Sequence, residues 1–409
     1  MNNCRSCNAS LGEPFLSFGT SPLSNSYLSK KQLQQFEPTY PLDLYLCERC
    51  YLMQLDVFES AQKIFSHEYA YFSSCSDSWL QHCKSYVEMM CERFAITPEW
   101  FVVEIASNDG YLLQFFKEKG IPHLGIEPAL QTAFAAVKKG IPTEAKYFTL
   151  EFAEKMIRNR QSANLIIGNN VLAHNPNLND FVEGMKQLLK PEGIITMEFP
   201  HVLKMLENVE FDTIYHEHFS YLSFYSVKTL FEKHCLSIFD VEELPTHGGS
   251  LRIYAQHTNT GKQAVLKSVN DLIEKERING IFSTELYTRF SENVKRVKRD
   301  LLSTLIEIKR QNKKIAGYGA PAKGNTLLNY CGIRTDFIDF TVDRNPMKQG
   351  KFLPGSRIPI YEPDVIFKAK PDYLFILPWN IKTEVMQQMK EIKSWGGKFL
   401  IAIPEVEII

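Results

Sequence analysis

No run of the 409 residues approaches the roughly twenty consecutive apolar residues that a bilayer-spanning helix needs, so no membrane partner is expected. The opening Met1-Asn2-Asn3-Cys4-Arg5 lacks the basic-then-apolar design of a secretion signal, and a cytoplasmic location is the expectation. An excess of either charge is missing too. With 46 Lys and Arg against 47 Asp and Glu, a formal net charge of -1 and no long basic run, binding of nucleic acid through phosphate neutralisation is not expected. Evenly spaced cysteines are also lacking: of nine, Cys75, Cys83, Cys91, Cys235 and Cys331 show no pairing pattern, which fits a reducing compartment rather than a disulfide framework. What remains is ordinary globular material, 44% hydrophobic and 23% charged, long enough for roughly two to three domains.

Four cysteines do form a pattern. Cys4-x-x-Cys7 and Cys47-x-x-Cys50 each offer two thiolates, and the 39 residues between Cys7 and Cys47 give the two knuckles room to meet around one tetrahedral ion. A structural zinc site is expected there, in a small β-rich domain over 1–65. Pro22, Pro38, Pro41 and the alternating Leu42, Leu44 and Leu46 support its extended character.

Beyond it the pattern is α/β. Helical spacing over 76–94 leads to strands at 101–106, 122–126, 164–168, 193–199 and 251–256, separated by helices at 110–119, 129–139, 150–158 and 178–190. That alternation predicts a doubly wound Rossmann-like domain over 66–260. Two long charged helices, 263–278 and 284–311, bridge to a second unit with strands at 314–320, 337–343 and 372–377 and a helix at 321–330. The bridge and this unit make a third domain, 261–409.

The first strand of the central unit closes in Glu104-Ile105-Ala106-Ser107-Asn108-Asp109-Gly110, and the second in Gly125-Ile126-Glu127-Pro128. A dinucleotide fingerprint needs three glycines so that pyrophosphate can touch the backbone, and here Ala106 and Asn108 occupy the turn while Gly110 stands alone. A ligand with an adenosine and no phosphates fits better. Glu127 would take the ribose hydroxyls and the polar turn would face a charged amino-acid tail, which points to S-adenosylmethionine. Glu104, Ala106, Asn108, Gly110, Glu127, Pro128 and Asn170 form the expected cofactor set.

Two histidine clusters follow later strands: Asn169-Asn170-Val171-Leu172-Ala173-His174 and Tyr215-His216-Glu217-His218. Imidazole titrates near neutrality and suits a general base, with Glu217 able to orient it. Metal binding is the competing reading, weakened by the absence of a His-Glu-x-x-His pattern. In the C-terminal unit, Gly317-Tyr318-Gly319-Ala320-Pro321-Ala322-Lys323-Gly324-Asn325 places small residues and a lysine at a strand-to-helix turn that favours an anion. Asp343 and Lys348 follow the next strand. His247-Gly248-Gly249-Ser250-Leu251-Arg252 is a further loop that permits close approach of a ligand. His247, Ser250, Arg252, Tyr318, Lys323, Asn325, Asp343 and Lys348 are the expected substrate-side residues.

Taken in order, the paired knuckles, Glu-Ile-Ala-Ser-Asn-Asp-Gly, Asn-Val-Leu-Ala-His, Tyr-His-Glu-His, His-Gly-Gly-Ser-Leu-Arg and Gly-Tyr-Gly-Ala-x-Ala-Lys-Gly resemble the nucleotide-sugar C-methyltransferases of deoxysugar biosynthesis across nearly the whole chain. The resemblance implies a zinc-binding N-terminal domain, a central class I methyltransferase domain and a C-terminal Rossmann-like domain that helps hold the nucleotide-sugar. It implies a general base at His218 with Tyr215 and Glu217 beside it and His174 nearby, and brings Tyr69 or Tyr71 towards the cofactor. The expected substrate is a thymidine- or guanosine-diphosphate-linked keto-deoxysugar. Sugar O-methylation and a non-catalytic zinc-knuckle interaction or nucleic-acid-binding protein are the alternatives. Oligomeric state is left open, a monomer included.

Overall fold

The computed structural model describes residues 3–60 and 72–409, and the strands among them form three sheets of four, seven and six strands. Tyr69 and Tyr71 lie outside the described residues.

The N-terminal sheet is an antiparallel meander of β1 (Leu16–Ser21), β2 (Tyr40–Leu46) and β3 (Met53–Leu55). The alternation read in the sequence is a strand pleat, which buries Leu42 and Leu44 on one face. Each cysteine pair sits in a tight turn whose next residue, Asn8 or Tyr51, is left-handed (φ 61° and 54°). The second of these turns joins β2 to β3.

Helix α1 (Asp77–Arg93), capped by the Ser76 side chain accepting from Trp79 N–H, precedes the central sheet. Its strands in chain order are β4 (Val102–Ile105), β5 (His123–Ile126), β6 (Thr143–Glu144), β7 (Ala163–Asn169) and β8 (Leu189–Pro200), then β10 (Leu236–Leu244) and β11 (Ser250–His257) after the short β9 (Ser220–Tyr221). Spatially the order is β10-β11-β8-β7-β4-β5-β6, parallel from β6 to β8 and antiparallel at β11 and β10. β4 is fully buried and has β5 on one side and β7 on the other, so the chain reverses its direction of winding at the carboxyl end of β4. Such a reversal opens a crevice.

The expected strands of this sheet are all present. β10 was not among them, because a register shift between Ile238 and Asp240 breaks the alternation that would have announced it: Ile238, Phe239, Asp240 and Val241 are buried in succession. β9 was missed as well. It leaves the central unit and pairs with β3, completing the N-terminal sheet.

The charged stretch forms two helices, α2 (Lys267–Ile278) and α3 (Thr284–Arg310). Every third or fourth residue of α3 from Leu286 to Ile308 is buried, and this apolar stripe joins one core with β1, β2 and the C-terminal unit. The last sheet runs β14-β13-β12-β15-β16-β17, from β12 (Ile315–Tyr318), β13 (Thr341–Val342), β14 (Ile360–Tyr361), β15 (Tyr373–Ile376), β16 (Lys398–Ile401) and the antiparallel edge β17 (Glu407–Ile408). Its winding reverses at β12, before helix α4 (Ala322–Cys331). The strand expected over 337–343 shortens to β13, since Phe337 and Ile338 both close onto Arg334 in a turn.

Candidate active site

The carboxyl ends of β4 and β12, the two points of reversal, open into one cavity of about 840 Å³. Ala106 and Asn108 line it from one side, Pro321, Ala322 and Lys323 from the other.

The turn after β4 is held by its neighbours. Ala106 (φ 59°) and Asn108 (φ 47°) both take left-handed backbone, which costs a non-glycine residue about 1 kcal/mol each and persists only where surroundings dictate it. Here they do: Ala106 N–H and Ser107 N–H donate to Ile126 O, and Asn108 N–H donates to Glu127 Oε2 at 3.0 Å. Gly110 must be glycine, because at φ 77° an added Cβ would stand 2.9 Å from Ile141 Cγ1. Glu127, 5% exposed, also accepts from Ala129 N–H at 2.8 Å through Oε1, and burial raises its pKa. One amide on each oxygen leaves further acceptor sites on the carboxylate, which is what a ribose diol requires. Asn170, left-handed at φ 54° and lining the cavity, has a buried Oδ1 with no partner among the described residues. An ammonium or amide donor would satisfy it. The residues present therefore fit an S-adenosyl ligand.

Of the expected cofactor set, Ala106, Asn108, Glu127, Pro128 and Asn170 line the cavity, whereas Glu104 and Gly110 do not. Glu104 lies wholly inside the sheet, where burial holds its pKa well above the carboxylate range. Tyr147, Phe148 and Phe181 also face the cavity and were not singled out in the sequence. An aromatic pair after a two-residue edge strand carries no sequence signature.

Tyr215, Glu217, His218 and His174 meet in the same cavity. His218 Nδ1 lies 2.8 Å from Thr213 O and His174 Nδ1 lies 2.9 Å from Glu217 O. A carbonyl oxygen can only accept, so each Nδ1 carries the proton and each Nε2, in the neutral ring, carries a lone pair. The two imidazoles are 4.7 Å apart by centroid, and the Tyr215 ring lies 4.2 Å from that of His218. Burial, then the neighbouring His174, holds His218 well below its ordinary pKa, and burial lowers His174 to about 4. Both rings are neutral at physiological pH. Glu217 moves the other way, raised to about 7 by burial. His216 turns out of the cavity and donates through Nε2 to Pro41 O of the N-terminal sheet at 3.0 Å. Among the described residues the histidine clusters gather no set of three metal ligands, so the metal reading of Tyr-His-Glu-His finds no support.

On the substrate side His247, Lys323 and Lys348 line the cavity, while Ser250, Arg252, Tyr318, Asn325 and Asp343 do not. All but Tyr318 brace segments of the lining. Arg252 ion-pairs with the fully buried Glu198 at 2.7 Å, Glu198 in turn accepts from Thr246 Oγ1, and Ser250 donates to Thr246 O, so the trio fixes the turn that presents His247. His247 Nε2 accepts from Asn170 Nδ2 at 3.0 Å. Tyr318 donates to Gln388 Oε1 inside the C-terminal unit. Asp343 Oδ2 accepts from Ala320 N–H at 2.7 Å and sits 3.7 Å from Lys348 Nζ, which shapes the turn after β12. Lys323 Nζ lies 4.6 Å from the Trp379 ring and holds Asn380 Oδ1 at 3.1 Å.

The four knuckle cysteines gather their Sγ atoms within 4.8 Å of one another, with Cys4–Cys50 and Cys7–Cys47 each at 3.5 Å. Zinc–sulfur bonds of about 2.3 Å at tetrahedral angles give sulfur separations of about 3.8 Å, so the cluster fits zinc. Gln54 Nε2 donates to Cys4 Sγ at 3.3 Å, an outer partner of the kind that orients thiolate ligands.

A doubly wound sheet whose crevice presents an acid after its second strand and no pyrophosphate glycines, next to a four-thiolate zinc module, defines an S-adenosylmethionine-dependent methyltransferase. Comparison with known proteins agrees. Residues 4–65 match the "Putative zinc binding domain" family model, 94–238 a methyltransferase domain and 245–404 a C-methyltransferase C-terminal domain. The chain is 36% identical over 409 residues, all of this chain and 97% of the relative, to the C-methyltransferase NovU of Streptomyces niveus. It belongs to the C-methyltransferase family, with S-adenosylmethionine and zinc as cofactors. Solved structures that resemble part of it include the PH0226 protein of Pyrococcus horikoshii OT3, at 11% identity over 46% of this chain and 94% of that one, TM-score 0.36. Another is the magnesium protoporphyrin IX methyltransferase of Synechocystis PCC 6803 with bound S-adenosylmethionine, at 13% identity over 44% and 79%, TM-score 0.34.

Proposed function

We propose that the chain methylates the carbon next to the keto group of a nucleotide-linked 4-keto-deoxysugar, with His218 as general base. The observation that carries this reading is the His218 ring: its Nδ1 proton is committed to Thr213 O, and the ring borders the cavity shared by both points of reversal. A carbonyl acidifies the neighbouring C–H, the Nε2 lone pair removes that proton, and the resulting enolate is the carbon nucleophile. When bound, S-adenosylmethionine supplies the electrophilic methyl group. Burial makes His218 a weak base, but an enolate forming beside the imidazolium raises its pKa as an opposite charge does. Tyr215 and Lys323 border the same space and supply donors for the developing oxyanion. Lys348 and the turn at Pro321–Lys323 suit the diphosphate, since a lysine near a helix start favours an anion. Tyr147, Phe148 and Glu127 are assigned to the adenosine. The assigned domains are 1–65, 66–260 and 261–409, and zinc takes no part in the chemistry.

The test is incubation of enzyme and S-adenosylmethionine with a panel of thymidine- and guanosine-diphosphate keto-deoxysugars, reading the mass gain of one methylene and its attachment to carbon. Loss of a deuterium label from the carbon beside the carbonyl, present with wild-type protein and absent with His218→Asn, is the expected companion result. Methylation on a hydroxyl oxygen with the label retained would overturn the reading in favour of O-methylation.

A further inference from the structure

Glu217 is buried, borders the cavity, and its carboxylate receives its hydrogen bond from another part of the molecule. Asn25, in the N-terminal module, donates from Nδ2 to Oε1 at 2.7 Å and to Oε2 at 2.9 Å. Among the described residues no other hydrogen bond to this carboxylate is made. Asn25 itself lines the cavity. Its position is fixed from the C-terminal module on both sides: the preceding Ser24 O accepts from the buried Asn325 Nδ2 at 2.6 Å, and Tyr27, two residues on, donates from its hydroxyl to Ala320 O at 2.5 Å. Lys348 reaches the same Ala320 O at 2.8 Å and stands 5.2 Å from the Tyr27 ring. An N-terminal residue, pinned by the C-terminal unit, thus meets a carboxylate of the central unit.

The segment that carries Glu217 is held in the same three-way fashion. Before it, Ile214 O accepts from Thr326 Oγ1 of α4 at 3.0 Å. After it, β9 pairs with β3 beside the zinc knuckle, with Met53 opposite Tyr221. Between these anchors Glu217 O accepts from His174, so a shift of residue 217 moves the His174–His218 pair.

From this arrangement we infer that Asn25 is a positioning residue of the methyl-transfer site, supplied by the zinc module, which holds the Glu217 carboxylate against the cavity and completes the site only when all three units are docked. The inference rests on the reading of the 215–218 segment as catalytic machinery. Its chemistry is simple. A carboxylate in an apolar enclosure resists ionisation, and a hydrogen-bond donor aimed at both oxygens favours the charged form. The titratable neighbours are Tyr27, which feels the charges of Glu217 and Asp343, and the groups that line the same cavity, Lys323 and Lys348 of the C-terminal unit and His174, Tyr215 and His218 of the central one. Burial raises its pKa and Asn25 opposes that rise. Asn25 therefore sets where the carboxylate titrates.

The test compares Asn25→Ala, Asn25→Asp, Glu217→Gln and the Ala/Gln double variant in zinc-loaded, full-length protein. With the keto-sugar that the panel above returns, Asn25→Ala is expected to lower kcat by about tenfold to a hundredfold, as loss of a bond to a charged group does, with S-adenosylmethionine affinity within about twofold of wild type. The acid limb of kcat moves to higher pH, further for Asn25→Asp, which sets a second carboxyl against the first. In the Glu217→Gln background Asn25→Ala adds no further loss. An unmoved limb, or a loss that adds in full to that of Glu217→Gln, overturns the inference. His218→Asn separates the two readings: full turnover in that variant refutes the catalytic reading, whereas an inactive His218→Asn beside an unmoved limb in Asn25→Ala refutes the role of Asn25 alone. Melting temperature gives a measure independent of substrate. Asn25→Ala and Asn25→Asp should lose stability relative to wild type as pH rises from about 5 to about 8, and Glu217→Gln should erase that difference; parallel curves for all the proteins count against the inference.

Discussion

His218 and Glu217 are neighbours in the chain with opposite electrostatic fates, and burial causes both. Enclosure disfavours the charged form of each, keeping the imidazole neutral and the carboxyl protonated to higher pH. His218→Asn preserves the shape of the ring edge that donates to Thr213 while removing the lone pair. Turnover should fall by about 10²- to 10⁴-fold with S-adenosylmethionine binding retained, as measured by calorimetry and product assay. Glu217 gives a second, thermodynamic prediction. Its pKa is 4.5 in an unfolded chain and about 7 in the fold, so the folded state binds the proton more tightly. The stability this provides is complete below about pH 4.5 and is lost as pH rises through about 7, amounting to roughly 3 kcal/mol. Glu217→Gln should flatten that part of the pH dependence of melting. A wild-type slope in Glu217→Gln would assign the effect to another group, such as Glu210, which burial also raises to about 7.

At the scale of elements, what was legible was whatever the local pattern dictates. Five strands of the central unit, β4, β5, β7, β8 and β11, announced themselves by apolar runs ending in turn residues, and the helix from Thr284 by its buried stripe, whereas the two-residue β6 did not. Both knuckles were legible because ligand spacing is a local property. β10 was not, since its bulge disrupts the period, and β9 was not, since a two-residue strand exists only through its partner on β3. The same division holds within the site: the acid after β5 and the Tyr-His-Glu-His segment are readable as motifs, whereas Asn25 owes its position to contacts nearly 200 residues distant in the chain, 192 positions from Glu217. Because the Cys47–Cys50 turn links β2 to β3, and β3 carries β9, the zinc site supports more than its own module. Cys47→Ser, or removal of zinc with a chelator, should lower the melting temperature and solubility and release about one equivalent of zinc; with the metal gone, turnover should fall more steeply than S-adenosylmethionine affinity, because the turns after β4 and β5, proposed to hold the cofactor, are built without it. Equal loss of both would mean that the central sheet depends on the zinc as directly as the 214–219 segment does.

For the molecule as a whole, the segment from Asp212 to Tyr221 is bonded both to the C-terminal unit and to the N-terminal sheet. Trp379 Nε1 donates to Asp212 Oδ2 at 2.8 Å, Asn325 to Ser24 O, and Thr326 Oγ1 to Ile214 O, each crossing from the C-terminal unit to another. Thr326 is the cleanest place to test whether these joints set the geometry of catalysis. It is 1% exposed on α4, its hydroxyl donates to a carbonyl just before Tyr215, and valine has nearly its shape. Thr326→Val leaves the packing in place and deprives Ile214 O of a buried donor, a change that costs about 1–3 kcal/mol. The melting temperature should drop accordingly. Because the lost bond adjoins the 214–219 segment and not the turn after β4, the proposed roles require kcat to fall while S-adenosylmethionine affinity holds, and Thr326→Ser, which restores the hydroxyl at the expense of one methyl, should recover most of kcat though not all of the stability. If Thr326→Val and Thr326→Ser lose stability and activity alike, the joint acts through packing, and the hydrogen bond to the 214–219 segment is not what aligns it.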